Sequence, residues 1–424
     1  MASQWTSLSL PVRGLAMSAT VASQATCEQR AAEGLPVYRF GLGQSPFPVP
    51  DAVVAALREH AARKDYLPVE GLPALRAEVS RYLQRRIGVD YPAKGVLVGP
   101  GSKELMFLLQ VCYYGELVIP TPAWVSYAPQ ATLVGRWPTL VPPDRPAAWR
   151  TTPELLSATC AADPDRPRLL VLNYPNNPTG GTYDADELAA LAEVARRYGV
   201  VVLSDEIYGE LHFEGKHVSI SRFYPEGTIV STGLSKWCGA GGWRLGCFAF
   251  PPALDHLRRA MAAVASETYT STSAPIQCAA VTAFELGPDI EDYLGRARRV
   301  LESLMVTIAR RLLACGARLE LPTGAFYLYP DFSPLAERLA ARGITSGDLL
   351  AKRLLAETGV MVLPASAFGR PPTELALRIA AVDFDGGRAI ADAGAGPLDE
   401  AFLDQHCAHV LEGVDRLIDW VANT

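Results

Sequence analysis

Ser231-Thr232-Gly233-Leu234-Ser235-Lys236-Trp237-Cys238-Gly239-Ala240-Gly241-Gly242-Trp243-Arg244-Leu245-Gly246 is the stretch from which the rest of the chain can be read. The apolar run Thr228 to Val230 leads into it, and Leu245 to Phe250 leads out. It therefore reads as a loop between two buried strands. Its many Gly and Ala residues leave room for a ligand to approach the backbone. Lys236 sits at the tip among small residues and one Trp. A lysine desolvated there is a candidate Schiff-base nucleophile. Arg244 can fork onto a phosphate. A glycine-rich surface loop with two solvated cations accounts for the same residues, so the decision lies upstream.

Upstream, apolar strands alternate with helices from about residue 95 to 250, which predicts one α/β layer on a mostly parallel sheet. Gly95 to Val98 reads as a strand, followed by Gly99-Pro100-Gly101-Ser102-Lys103-Glu104 and a helix over 105–114. A strand, a glycine turn and a helix N-terminus together offer free N–H groups to an anion. Glu116 to Ile119 ends at Pro120-Thr121-Pro122-Ala123-Trp124. Arg168 to Asn173 is continuously apolar and runs into Asn173-Tyr174-Pro175-Asn176-Asn177-Pro178-Thr179-Gly180. Val200 to Leu203 ends in Ser204-Asp205-Glu206-Ile207-Tyr208. Every polar motif falls where a strand ends, which is where open α/β sheets bind ligands.

Other segments complete the reading. Helices are expected over 19–32, 51–63, 73–86, 184–198, 290–313, 346–358 and 400–421, and strands over 38–42, 360–363 and 375–380. A β pair is expected within 316–330, around 322–327, and the Gly/Ala/Asp-rich stretch 383–397 reads as the most flexible loop. The 424 residues carry a net charge of −6, which offers no basic footprint for nucleic acid or anionic lipid. No apolar run reaches the roughly 18 to 20 residues that span a bilayer. The eight cysteines form no C-x-x-C pair and read as reduced thiols, with no metal site. The N-terminus lacks a charged signal-peptide n-region, so the cytoplasm is the expected compartment.

Lys236, Asp205, Tyr208, Asn177 and Arg244 together supply an amine, a carboxylate, two hydrogen-bond groups and a phosphate donor. Those are the needs of pyridoxal phosphate, whose ring nitrogen takes an aspartate partner. The chain resembles the fold-type I pyridoxal-phosphate enzymes, in particular the class I/II aminotransferases related to aspartate aminotransferase. The residues that carry the resemblance are Tyr66-Leu67-Pro68 with Gly71-Leu72, Gly101-Ser102-Lys103-Glu104, Asn177-Pro178-Thr179-Gly180, Asp205-Glu206-Ile207-Tyr208, Ser235-Lys236, Gly242-Trp243-Arg244-Leu245-Gly246 and Arg378. They are colinear from about residue 10 to 420.

The resemblance implies a large domain with a mostly parallel seven-stranded sheet between helices, plus a smaller α+β domain. Residues 1–45 would form an arm and part of the small domain, 46–295 the large domain and 296–424 the small one. Lys236 would carry the internal aldimine and then shuttle a proton in a ping-pong transfer between an L-amino acid and a 2-oxo acid. Asp205 would hold the pyridine nitrogen protonated, while Tyr208 and Asn177 would bond the ring hydroxyl. Ser102, Lys103, Ser235 and Arg244 would bind the phosphate, and Trp124 would stack on the ring. Arg378, helped by Gly43, would clamp the substrate carboxylate. Tyr66 would reach the phosphate of a neighbouring subunit, which implies a homodimer.

The chain also departs from the family pattern. Gly233 stands where many relatives carry a hydroxyl, leaving Thr232 or Ser235 to replace it. The loop Gly43-Gln44-Ser45-Pro46 differs from the Gly-Glu-Pro form of one subgroup, and Arg13, Arg222 and Arg370 are candidates for a distal arginine. A carbon–sulfur β-lyase or another synthase on the same fold would share the cofactor pocket. A non-catalytic ligand sensor would need a DNA-binding extension, and a nicotinamide dehydrogenase would need the glycine fingerprint.

Overall fold

The computed structural model describes residues 7–143, 149–394 and 396–422, so residues 1–6 of the arm lie outside it. The strand Arg168–Asn173 is buried along its whole length. Leu169 and Val171 enter one apolar layer, while Leu170 and Leu172 enter the other. A strand between two apolar layers has no polar face, which is why it reads as an unbroken run. Seven strands form one sheet in the order Val96–Gly99, Gly246–Ala249, Thr228–Gly233, Val201–Asp205, Arg168–Asn173, Glu116–Pro120, Thr139–Val141. All neighbours pair in parallel except Gly246–Ala249, which is antiparallel to both of its partners.

This topology positions the site. Strands running one way bring their C-terminal ends to one edge. The reversed strand brings its beginning to that edge instead, so Arg244 arrives beside the loop that carries Lys236. The helices around the sheet start where local chemistry allows. Asp184 accepts the Glu187 N–H at 2.8 Å, and the Glu187 carboxylate accepts the Asp184 N–H at 2.9 Å. This reciprocal cap opens the helix Ala185–Arg197.

The helix Pro288–Ala314 buries Ile290, Leu294, Ala297, Leu301, Leu304 and Ile308, spaced three and four apart. It is roughly 40 Å long at 1.5 Å per residue. Its apolar stripe belongs to a core that also contains Val98 and Val230 of the large sheet and Tyr327, Leu377 and Val414 of the last third. That last third builds on a three-stranded antiparallel sheet, Leu363–Pro364, Leu377–Ala380 and Tyr327–Leu328. The short strand Tyr38–Arg39 pairs in parallel with Val360–Met361, tying the N-terminal segment to the C-terminal one. All eight cysteines are free thiols. Among the described residues no helix is long and apolar enough to cross a membrane.

The structure corrects several sequence expectations. The helix after Gly99 starts earlier, at Ser102, and ends at Cys112; Gly101, with φ +90°, makes the turn that admits it. The segment expected as a flexible loop contains the helix Gly386–Asp392, capped by the Asp385 carboxylate and anchored by buried Ala389. The closing helix is two, Glu400–His406 and Ala408–Ala422, because buried Cys407 leaves helical geometry at φ −123°, ψ 14°. The β pair expected within 316–330 appears locally as the antiparallel bridge between Arg318 and Asp331, while Tyr327 pairs with Ala380 of a distant strand. The strand Thr139–Val141 and the helices Tyr127–Leu133, Pro153–Ala161, Asp255–Ser266 and Ala274–Glu285 were not anticipated.

Candidate active site

At the strand-end edge lies a cavity of about 230 Å³. Lys236, Asp205, Tyr208 and Asn177 line it, as do Trp124 and Ser102. Lys103, Ser235, Arg244, Gly43 and Arg378 complete the set expected from sequence. Tyr66 stands apart: it is 89 % exposed and does not line this cavity. Ser235 faces the cavity, whereas Thr232 lines a separate small cavity with Glu206, Glu210 and His217. None of the candidate distal arginines lines this cavity. Arg13 donates to Leu8 O, Arg222 donates to Ile87 O, and Arg370 pairs with Glu374 while donating to Thr121 Oγ1.

Lys236 donates to the Gly43 carbonyl at 2.6 Å and lies 5.6 Å from the centre of the Tyr208 ring. Burial lowers its pKa from 10.5 to about 8, helped by the positive charges of Arg378 and Arg244. An amine so placed is partly neutral near physiological pH, as a nucleophile must be. Asp205 moves the other way: burial raises its carboxyl from 3.8 to about 6, although hydrogen bonds from Tyr127 and Ser231 oppose the rise. A cationic partner at the carboxylate would remove that penalty.

Two glycines shape the anion end. A Cβ on Gly246 would lie 2.2 Å from the Ser102 backbone nitrogen, and one on Gly101 would lie 2.3 Å from Arg244 Nη2. Only their absence lets the start of the helix Ser102–Cys112 and the Arg244 guanidinium approach one another. Arg244 itself holds φ +57°, a left-handed conformation that costs a non-glycine residue about 1–2 kcal/mol. Its guanidinium donates to Gly241 O at 2.8 Å and to Pro100 O at 3.4 Å. Helix N–H groups, a serine and an arginine form a ready phosphate cup.

At the opposite functional end, Arg378 is wholly buried. It donates to Asn177 Oδ1 at 3.2 Å and to the Gly41 carbonyl, and its Nε has no partner among the described residues. A buried guanidinium with donor capacity to spare suits a carboxylate ligand. Asn177 is itself held by its N–H to Asn173 Oδ1 at 2.8 Å, and Asn173 Nδ2 donates to Asp205 O at 2.9 Å. Asn173 and Asp205 are register partners, so one side chain fixes the ends of two neighbouring strands.

Sequence reasoning missed Tyr127, Asn173, Tyr327 and the pair Thr20 and Val21, all of which line the cavity. Tyr127 lies one helical turn after Trp124, which was a usable signal. Tyr327, bonded through its hydroxyl to Tyr208 at 2.8 Å, comes from the other end of the chain and left no local sign.

A sheet whose strand ends gather a buried lysine, a buried carboxylate and a phosphate cup around one cavity defines a pyridoxal-phosphate enzyme of fold type I. A family model described as aminotransferase class I and II matches residues 36–385, and the chain belongs to that family. The aspartate aminotransferase of Geobacillus stearothermophilus is 35 % identical over 372 residues, covering 85 % of this chain and 91 % of that protein. The aspartate/prephenate aminotransferase of Cereibacter sphaeroides is 34 % identical over 370 residues, 84 % and 90 % of the two chains. In three dimensions, the aspartate aminotransferase of Thermus thermophilus with maleate matches at TM-score 0.82 and 28 % identity, covering 97 % of this chain and 98 % of that one. The chain is a pyridoxal-phosphate-dependent aminotransferase.

Proposed function

We propose that the enzyme moves an amino group between an L-amino acid and a 2-oxo acid by a ping-pong mechanism centred on Lys236, with aspartate the first donor to try. Aspartate is suggested by the names of the relatives. The observation that carries the reading is that one cavity is lined by both a buried amine, Lys236, and a buried carboxyl, Asp205, with burial lowering the pKa of the first and raising that of the second. Bound pyridoxal phosphate would supply an aldehyde for the substrate amine and a ring that accepts the electron pair left at Cα. Ser102, Lys103, Ser235 and Arg244 would hold its phosphate, Trp124 its ring face, Asn177 and Tyr208 its ring hydroxyl. Asp205 would keep the ring nitrogen protonated. Arg378, with the Gly43 backbone, would bind the substrate α-carboxylate and aim the Cα proton at Lys236, which takes it up and returns it.

The same reading includes a cytoplasmic homodimer in which exposed Tyr66 reaches the partner's phosphate site. It also includes a division into an arm at 1–45, a large domain at 46–295 and a small domain at 296–424. The test is a half-reaction with aspartate alone, followed by 2-oxoglutarate, pyruvate or oxaloacetate. Transfer predicts one oxo acid released per cofactor and no turnover until an acceptor is added. Steady release of pyruvate, ammonia and a thiol from an S-substituted cysteine, with no acceptor present, would instead mark a carbon–sulfur β-lyase.

A further inference from the structure

Asp205 is buried at the end of its strand, and its two oxygens are not equivalent. Oδ2 accepts the Tyr127 hydroxyl at 2.5 Å, and Oδ1 accepts Ser231 Oγ at 3.2 Å. A phenol donating to a carboxylate at that length makes a charge-assisted bond, roughly twice as strong as a neutral one. Tyr127 is 2 % exposed and opens the helix Tyr127–Leu133. Its N–H bonds to Trp124 O at 3.2 Å, and the two rings meet edge to face at 5.3 Å. One turn after Glu116–Pro120 thus carries both the ring-facing tryptophan and the donor to Asp205.

We propose that Tyr127 is a positioning residue for amino transfer, holding the Asp205 carboxylate in the orientation that meets the cofactor's ring nitrogen. The proposal rests on the assignment of Asp205 made above. The phenol stays a donor at every working pH, because burial and the Asp205 charge push its own ionisation well above the ordinary range. Other groups also act on the carboxyl. Ser231 and the Ile207 N–H favour its charged form, and Glu206, next in the chain, disfavours it. Asp205 in turn acts on Lys236 and Tyr208 across the cavity. Among these Tyr127 is the largest after burial itself. Removing its hydroxyl would free Oδ2 to rotate and would strengthen the carboxyl's hold on a proton, so the ring nitrogen would meet a partner that is less firmly oriented and less readily charged.

The test uses Tyr127→Phe, which keeps the buried ring, beside Ser231→Ala and Asp205→Ala in the full chain. For Tyr127→Phe, losing one hydrogen bond to a charged group predicts about 10- to 100-fold weaker pyridoxal-phosphate affinity and a comparable fall in kcat. KM for the amino donor should change less than about threefold, since the substrate contacts are intact. In the cofactor-free protein, difference infrared spectroscopy should show the Asp205 carboxyl titrating above its wild-type midpoint. Ser231→Ala should shift every quantity the same way but less. Unchanged affinity, kcat and carboxyl titration in Tyr127→Phe, or a larger effect from Ser231→Ala, would overturn the proposal. If Asp205→Ala binds pyridoxal phosphate like wild type, the assignment of Asp205 fails, and that result is separate from any seen with Tyr127→Phe.

Discussion

Lys236 Nζ is tethered to the Gly43 carbonyl at 2.6 Å, so the amine that follows the strand Thr228–Gly233 is held by a loop of the N-terminal segment. That loop has no space to spare: a Cβ on Gly43 would lie 1.9 Å from the Tyr327 hydroxyl. Gly43→Ala must therefore displace Tyr327 and break its 2.8 Å bond to Tyr208. Overpacking of this kind costs about 1–3 kcal/mol. A lowered melting temperature and weakened cofactor binding are expected in Gly43→Ala. Tyr327→Phe, which removes the nearest clashing atom, should restore part of both. An unaltered melting curve would contradict the packing argument.

Lys236→Ala should lower kcat by about 10³-fold or more, the scale expected when a positioned proton-transfer group is lost. Borohydride treatment should fix pyridoxal phosphate to the wild-type chain and leave the variant unlabelled. Labelling at another lysine, with normal turnover, would show that the nucleophile has been misassigned.

The two shifted groups give opposite pH signatures in the cofactor-free protein. Lys236 falls from 10.5 to about 8 on folding, so the unfolded chain binds its proton more tightly between those values. Its contribution to stability is present above 10.5 and is lost as pH falls through about 8. Asp205 rises from 3.8 to about 6, so its contribution is present below 3.8 and is lost as pH rises through about 6. Urea denaturation across pH should show both trends, and Lys236→Met and Asp205→Asn should each flatten one of them.

Arg378→Lys should raise KM for amino-acid substrates by about 10- to 100-fold, because an ammonium cannot reproduce the guanidinium fork. An amine without an α-carboxylate should react equally poorly with both proteins. If the variant lost the same factor on that amine, Arg378 would be supporting the fold and not the substrate.

Asp184→Ala offers a contrast away from the cavity. It removes one half of the reciprocal cap with Glu187 and should cost about 1 kcal/mol of stability. Its kcat and KM should match wild type, measured beside a denaturation curve.

The sheet was legible because its strands are buried on both faces. A run such as Leu169 to Leu172 shows no periodicity, but it is too short for a helix and is bounded by Pro167 and the turn at 173–176, which marks a buried strand. The site was legible for a related reason: Lys236, Asp205 and Asn177 each follow such a run, and topology brings strand ends together. Tyr327 was not legible, because its role depends on the pairing of Tyr327 with Ala380 and on a hydroxyl contact to Tyr208. Nor was the break at Cys407, where an otherwise helical pattern bends to bury one thiol. Asn173 was visible but read only as the last residue of a strand. Its work, joining two strand ends, needed their register.

The pairing of Tyr38–Arg39 with Val360–Met361 has a consequence for biogenesis. During translation the N-terminal segment leaves the ribosome long before its partner strand exists. Phe40, wholly buried in the finished protein, must wait exposed or in temporary company until the last third has been made. Nascent chains halted before residue 360 should therefore bind chaperones and yield to protease at this segment, and the sensitivity should vanish once the C-terminal strands emerge.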